Sequence, residues 1–221
     1  MSGPLALVGG AEWREGCAFD EELLAASGGS EVVVLPTAAA YEHPARTVEG
    51  AERWFSELGA TVRSVPVFTR RDALDEGYAA TVADARFLYL SSGSPMHLRS
   101  VLKDSPIWDG IVRAWESGAV LAASAAGAMV LCDPMVDPRG GALTLGLGLI
   151  APIAVIPHHN TWSEDKEKRT LHIAPAGLPI VGVDERTALL RDPDGTWRAS
   201  GAGDVTVFVD AKPAGLDALP S

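Results

Sequence analysis

Residues 120–131 read "VLAASAAGAMVL", and this stretch sets the interpretation of the chain. Its first residues are apolar, as in a buried strand, and its last are typical of a helix start. A strained strand-to-helix turn needs small residues around its apex, because the helix packs closely behind it. The small residues here are Ala123, Ala126, Gly127 and Ala128, with Ala125 at the apex and Ser124 before it. Taken alone, the pattern fits either the seat of a nucleophile or a junction selected for close packing.

On both sides of this stretch, short apolar runs alternate with amphipathic segments. The apolar runs predict strands over residues 5–8, 31–35, 61–67, 86–90 and 119–123. The amphipathic segments predict helices over residues 20–27, 44–58 and 106–117. Such alternation implies right-handed βαβ units. We therefore expect an α/β fold with a mainly parallel sheet flanked by helices.

The pattern changes after residue 131. A Pro/Gly-rich excursion is followed by a predicted strand at 153–157, and Thr161 with Glu164 forms a candidate capping box for a helix to about residue 173. Short strands are predicted at 179–183, 187–190, 197–199 and 205–209, with a hairpin at 192–195, "DPDG". No linker interrupts the chain. We expect one α/β domain over residues 1–221 with a C-terminal β-rich addition.

Composition excludes several classes of function. The net charge of −11, from 18 Lys and Arg against 29 Asp and Glu, disfavours binding to nucleic acid or to an anionic membrane. Two cysteines cannot form a disulfide framework, and the N-terminus lacks the basic flank of a secretory signal. No apolar run is long enough to span a bilayer. We expect a cytoplasmic protein without membrane attachment.

Six loops follow predicted strands, and in open α/β sheets binding sites form beyond the carboxyl ends of the strands. The loops are "GGAEW" (9–13), "PTAAAYEHP" (36–44), "SSGSP" (91–95), "SAAGAM" (124–129), "PHHNTW" (157–162) and "VDERT" (183–187). In "SSGSP", Gly93 allows close backbone approach, and its N–H is a candidate oxyanion donor. The shared placement of these loops carries more weight than any one of them.

The other two candidate groups are a histidine pair and a carboxylate pair. An imidazole can accept and return a proton near neutral pH, so His158 or His159 is a candidate general base. Paired metal ligands are the rival interpretation, but no carboxylate or Cys stands at a familiar ligand spacing. We expect neither a metal nor another cofactor. Asp184 or Glu185 is available to orient the histidine, unless this is a solvated turn paired with Arg186.

In this order, the loops resemble those of the cyanophycinase/dipeptidase E family of serine peptidases. "LVGGAE", "EVVVLPTA", "LYLSSGSPMHLRSVL", "AASAAGAMVL", "VIPHH" and "PIVGVDERTALL" are similar to successive family segments across most of the chain. The resemblance implies a class I glutamine amidotransferase-like fold, which is a flavodoxin-like three-layer architecture. It also implies a small peptide substrate: family members cleave next to acidic residues, in α-Asp dipeptides or the β-linked Asp-Arg units of cyanophycin.

The resemblance also implies roles for individual residues. The nucleophile position falls on Ala125, the base on His159 (His158 if the strand register shifts by one), and the orienting carboxylate on Glu185. The oxyanion donors fall on the N–H groups of Gly93 and Ala126. The residues expected near substrate are Ser92, Ser94, Pro95, His158 and Asn160. A homodimer is a candidate assembly.

Two departures from the family pattern affect function. Pro95 stands where the family has Gln, which puts substrate identity in question. Ala125 has no oxygen with which to attack a carbonyl, and Ser124 is expected to point away from the apex. We therefore expect binding without turnover, and an engineered Ser→Ala replacement is favoured over a natural pseudoenzyme.

Two alternatives remain beside this hypothesis. One is a non-catalytic binding protein that uses the same pocket for a peptide or an acidic metabolite. The other is a glutamine amidotransferase-like enzyme, which the absence of Cys from the elbow disfavours. Nucleotide binding at "VGGAE" rests on a bare Gly pair without a full dinucleotide fingerprint.

Overall fold

The structure is a computed structural model, and it describes residues 1–220. Its strands are β1 (Leu5–Val8), β2 (Glu31–Leu35), β3 (Thr61–Ser64), β4 (Phe87–Leu90), β5 (Val120–Ser124), β6 (Met135–Val136), β7 (Leu143–Thr144), β8 (Ala154–Ile156), β9 (Ile180–Val183), β10 (Thr187–Arg191), β11 (Trp197–Gly201), β12 (Val205–Val209) and β13 (Lys212–Ala214). Its α-helices are α1 (Phe19–Ser27), α2 (Pro44–Glu57), α3 (Glu76–Ala83), α4 (Pro95–Leu102), α5 (Pro106–Glu116), α6 (Ala126–Leu131) and α7 (Glu164–His172).

Seven strands form the main sheet, in the order β11-β10-β1-β5-β4-β2-β3. The five strands from β1 to β3 in that order are parallel, whereas β10 and β11 add an antiparallel edge. The carboxyl ends of β1, β4 and β5 therefore lie side by side. The loops that start at Gly9, Ser91 and Ala125 share one edge of the sheet for this reason.

Buried side chains alternate between the two faces of this sheet. On β1, Leu5 and Leu7 belong to one apolar cluster and Ala6 and Val8 to the other, and each is fully buried. Because successive side chains of a strand point to opposite faces, helices must cover both faces. The uninterrupted apolar run of each central strand is the sequence signature of this arrangement, and the expected α/β class is confirmed.

A second sheet, in the order β13-β12-β9-β8, forms the C-terminal addition. Its strands β8 and β9 are parallel, with Ile156 opposite Gly182. Their carboxyl ends consequently bring the loops at His158 and Glu185 together. The site therefore lies where the loops of two sheets meet.

The structure contains the expected hairpin but differs from the other predicted elements named below. The expected hairpin at 192–195 joins β10 to β11. Strand β3 ends at Ser64 rather than at residue 67. The predicted capping box is wrong: Ser163 caps α7 by accepting from the N–H of Lys166, and the Thr161 hydroxyl instead donates to the carbonyl of His158. Helix α3 has no counterpart among the predicted elements, since it is short and rich in Gly and Ala.

Candidate active site

The turn between β5 and α6 has the geometry of a nucleophile elbow. Ala125 adopts φ 43° and ψ −97°, a conformation that costs a residue with a side chain about 1–3 kcal/mol. Its N–H donates to the carbonyl of Val8 over 2.8 Å, which ties the elbow to the neighbouring strand β1. Ser124 is fully buried on the strand side. A side chain at position 125, and not at position 124, therefore occupies the apex.

Two backbone N–H groups stand beside this apex. Gly93 follows β4 with φ +138°, and a Cβ there would lie 2.3 Å from the carbonyl oxygen of Ala38. Glycine is therefore required at this position. No acceptor within residues 1–220 takes its N–H. Ala126 opens α6, where the first N–H groups have no partner in the helix.

His158 and Glu185 form a hydrogen-bonded pair. The Nδ1 of His158 lies 2.9 Å from Oε1 of Glu185, which leaves Nε2 for a second partner. The N–H of His158 donates to the carbonyl of Gly9 over 2.7 Å, and a Cβ on Gly10 would lie 2.1 Å from the imidazole. The loop after β1 therefore packs directly on the ring and fixes its position.

His159, the favoured candidate in the sequence, lies elsewhere. Its Nε2 lies 2.6 Å from Oε2 of Glu167 on α7, and its Nδ1 lies 3.7 Å from Asp184. The expected pairing of His159 with Glu185 is therefore wrong: the partner of Glu185 is His158, one residue earlier. The physical reason is that β8 ends at Ile156, and His158 then turns into the left-handed region at φ 51°. The alternation of a strand no longer applies at these two positions.

Glu12 was not among the candidate residues, although its loop was. One of its oxygens accepts from the N–H and the hydroxyl of Ser92, at 3.0 and 2.6 Å. The other accepts from the buried hydroxyl of Ser124 over 2.8 Å. A single carboxylate thus joins the loop of Gly93 to the strand that carries the elbow. A Glu two positions after the paired glycines of a strand-end loop was the signal available in the sequence.

The remaining candidates for substrate contact divide into two groups. Ser92 and Pro95 line cavities that His158 also lines. Ser94 caps α4, and Asn160 accepts the N–H of Glu185 over 3.0 Å. Ser94 and Asn160 line neither of those cavities, so the structure gives them positioning contacts.

Two cavities of about 510 Å³ each meet at His158. The elbow cavity is lined by Gly93, Ala125 and Ala126, and also by Trp162 and Lys166. The Lys166 ammonium lies 3.7 Å from the centre of the Trp162 ring, and burial lowers the pKa of this lysine. The second cavity, called the arginine cavity, is lined by Arg14, Arg46 and Arg53 as well as by His158.

Neither cysteine serves this site. Both are free and buried, and burial raises the pKa of the Cys17 thiol to about 11. Burial raises the pKa of Cys132 as well. Within residues 1–220, no three His, Cys, Asp or Glu side chains are grouped as metal ligands. In the same part of the chain, no helix combines the length and apolar character needed to cross a bilayer.

Taken together, an elbow, a His–Glu pair and the backbone N–H groups of Gly93 and Ala126 are the parts of a serine-hydrolase type of site. The model of Peptidase family S51 matches residues 5–196, and the chain belongs to this family of serine peptidases.

Individual relatives agree with this assignment. The crystal structure of a peptidase from an acI-B1 Actinobacterium is similar, at 30% identity and a TM-score of 0.86, over 97% of this chain and 93% of that one. A putative peptidase E from Listeria monocytogenes shares the fold at 16% identity and a TM-score of 0.67, over 95% and 99% of the two chains.

Curated sequence relatives are cyanophycinases. That of Synechococcus elongatus is 29% identical over 69% of this chain and 51% of its own length. That of Trichormus variabilis is 27% identical over 91% of this chain and 72% of its own length. The chain therefore spans about half the length of the first of these relatives.

Proposed function

We propose that this chain is a serine-peptidase scaffold for peptides that contain an aspartyl residue, as α-linked dipeptides or isopeptides, with its nucleophile position occupied by Ala125. The observation that carries the proposal is that His158, which is bonded to Glu185, lines the same cavity as Ala125 and Gly93. Membership of Peptidase family S51 and the cyanophycinase relatives support the substrate class.

In the proposed mechanism, a serine at position 125 attacks the carbonyl carbon and passes its proton to Nε2 of His158. Glu185 orients the ring and stabilises the imidazolium, and the N–H groups of Gly93 and Ala126 bind the developing oxyanion. When the C–N bond breaks, His158 returns the proton to the leaving amine. Water then attacks the acyl-enzyme with the same histidine as base, which releases the acid and restores the serine.

Ala125 lacks the attacking oxygen, so we propose that this chain binds such peptides without cleaving them. Loss of a triad nucleophile costs on the order of a millionfold in kcat. Ser124 does not substitute, because its buried hydroxyl is already bonded to Glu12. The alternative function, a non-catalytic peptide or metabolite binding protein, is favoured by the same alanine.

The experiment is the Ala125→Ser variant, assayed against aspartyl dipeptides and β-aspartyl isopeptides, with Ala125→Gly as the matched control. We expect hydrolysis by the serine variant alone. If the serine variant binds these peptides but cleaves none, the binding-protein alternative holds instead.

The intact His–Glu pair and the strained apex support a recent loss of serine, and we propose an engineered replacement. The codon at position 125 of the native gene tests this point. A serine codon is expected, and an alanine codon would overturn it.

A further inference from the structure

We propose that the arginine cavity binds a carboxylate on the leaving-group side of the scissile bond, so that the site selects peptides whose departing residue is anionic. This inference rests on the proposed function and extends it to the cavity that Ala125 does not line. The cavity contains Arg14, Arg46 and Arg53, yet the whole protein carries a net charge of −11. Three of its 18 Lys and Arg therefore surround one cavity.

The residues that line each cavity indicate whether the acyl side or the leaving-group side of the scissile bond lies in the arginine cavity. Gly93 and Ala126, which face the carbonyl oxygen, line the elbow cavity and not the arginine cavity. His158 lines both. Because the base must hand its proton to the leaving amine, the departing residue lies against His158. From there it extends into the arginine cavity, while the acyl part remains in the elbow cavity.

The charges that line the arginine cavity favour an anion. Its two carboxylates already have partners, since Glu12 accepts from Ser92 and Ser124, and Glu185 is paired with His158. Three arginines against these two carboxylates leave the lining with an excess of one formal positive charge. Guanidinium binds carboxylate through paired, charge-assisted hydrogen bonds.

Two sources can supply such a carboxylate: the free C-terminus of a short peptide, or an acidic side chain. A departing arginine side chain, in contrast, would bring a fourth guanidinium into the cavity. Like charges in contact oppose binding. The cavity therefore disfavours a basic departing residue.

Binding to the unmodified chain tests this inference without any turnover. Isothermal titration calorimetry would compare Asp-Leu with a free C-terminus, Asp-Leu amide and Asp-Glu amide. We expect the free acid to bind about tenfold more tightly than Asp-Leu amide. Recovery of affinity by Asp-Glu amide would show that a side-chain carboxylate suffices, whereas no recovery would assign the cavity to the C-terminus.

Arg14→Gln, Arg46→Gln and Arg53→Gln should each reduce the preference for the free acid, and their combination should abolish it. Arg71→Gln removes an exposed arginine of the 71–75 turn, outside both cavities, and should leave the preference unchanged. Equal binding of acid and amide, or binding of neither, overturns the inference.

The same pair of peptides separates this inference from the proposed function. If Ala125→Ser cleaves Asp-Leu and its amide with equal kcat/KM, the arginine cavity does not select the leaving group, although the peptidase assignment stands. If Ala125→Ser cleaves neither, the peptidase proposal fails, and the binding comparison on the unmodified chain still decides the role of the arginines.

Discussion

At the scale of single residues, the two neighbouring histidines have different surroundings. The ring of His158 is open to both cavities, whereas the His159 side chain is only 14% exposed and lies against Gly182 and the Phe208 ring. The resemblance places the base on His159, or on His158 if the strand register shifts by one, and strand β8 ends at Ile156, before either histidine. The left-handed turn at His158 could not be predicted, since a non-glycine residue rarely adopts it.

His159→Leu should therefore affect stability and spare catalysis. Losing its bond to Glu167 should lower the free energy of unfolding by about 1–3 kcal/mol. In the Ala125→Ser background, kcat/KM should stay within about threefold of its starting value. Chemical denaturation and steady-state kinetics on the same preparation check both expectations. Loss of activity with unchanged stability would contradict this role.

At the scale of elements, the site depends on loops that hold one another in place. The order of the strand-end loops was predictable, because each loop follows an apolar run. The bridge between them was not, since the contact of Glu12 with Ser124 spans 112 positions in the sequence. The Ser124 hydroxyl, expected to point away from the apex, donates to Glu12.

Glu12→Ala should loosen both the oxyanion loop and the elbow. It leaves the Ser92 N–H and the buried Ser124 hydroxyl without their acceptor, at a cost of about 1–3 kcal/mol for the buried hydroxyl. In the Ala125→Ser background, we expect kcat to fall at least about tenfold while KM changes little. Glu12→Gln retains one acceptor oxygen and should recover part of the rate. A proportional rise in KM with unchanged kcat would instead place Glu12 in substrate binding.

At the scale of the whole molecule, the fold class was readable from the alternation of apolar runs and amphipathic segments. The sequence also indicated an added β-rich segment, but not that its β8 and β9 would form a separate sheet and supply the His–Glu pair. Strand partners separated by tens of residues leave no local pattern in the sequence.

The buried Asp20 carboxyl on α1 accepts from the indole N–H of Trp54, yet burial holds the pKa of Asp20 well above its usual range. The folded state therefore keeps a proton that the unfolded state releases above about pH 4. Stability should fall as pH rises from there through the folded-state pKa, and then level off. Asp20→Asn should remove this part of the decline, as measured by unfolding free energies across the pH range. Asp165→Asn, at an exposed site on α7, should leave the decline unchanged; an identical decline in Asp20→Asn would contradict the assignment.

The central claim is that only the nucleophile is missing from an otherwise complete serine-peptidase site. The most direct measurement is kcat/KM on one aspartyl peptide for Ala125→Ser and for Ala125→Ser/His158→Gln. We predict clear hydrolysis by the first and a loss of at least about a thousandfold in the second. No hydrolysis by Ala125→Ser, or equal hydrolysis by the two variants, would contradict it.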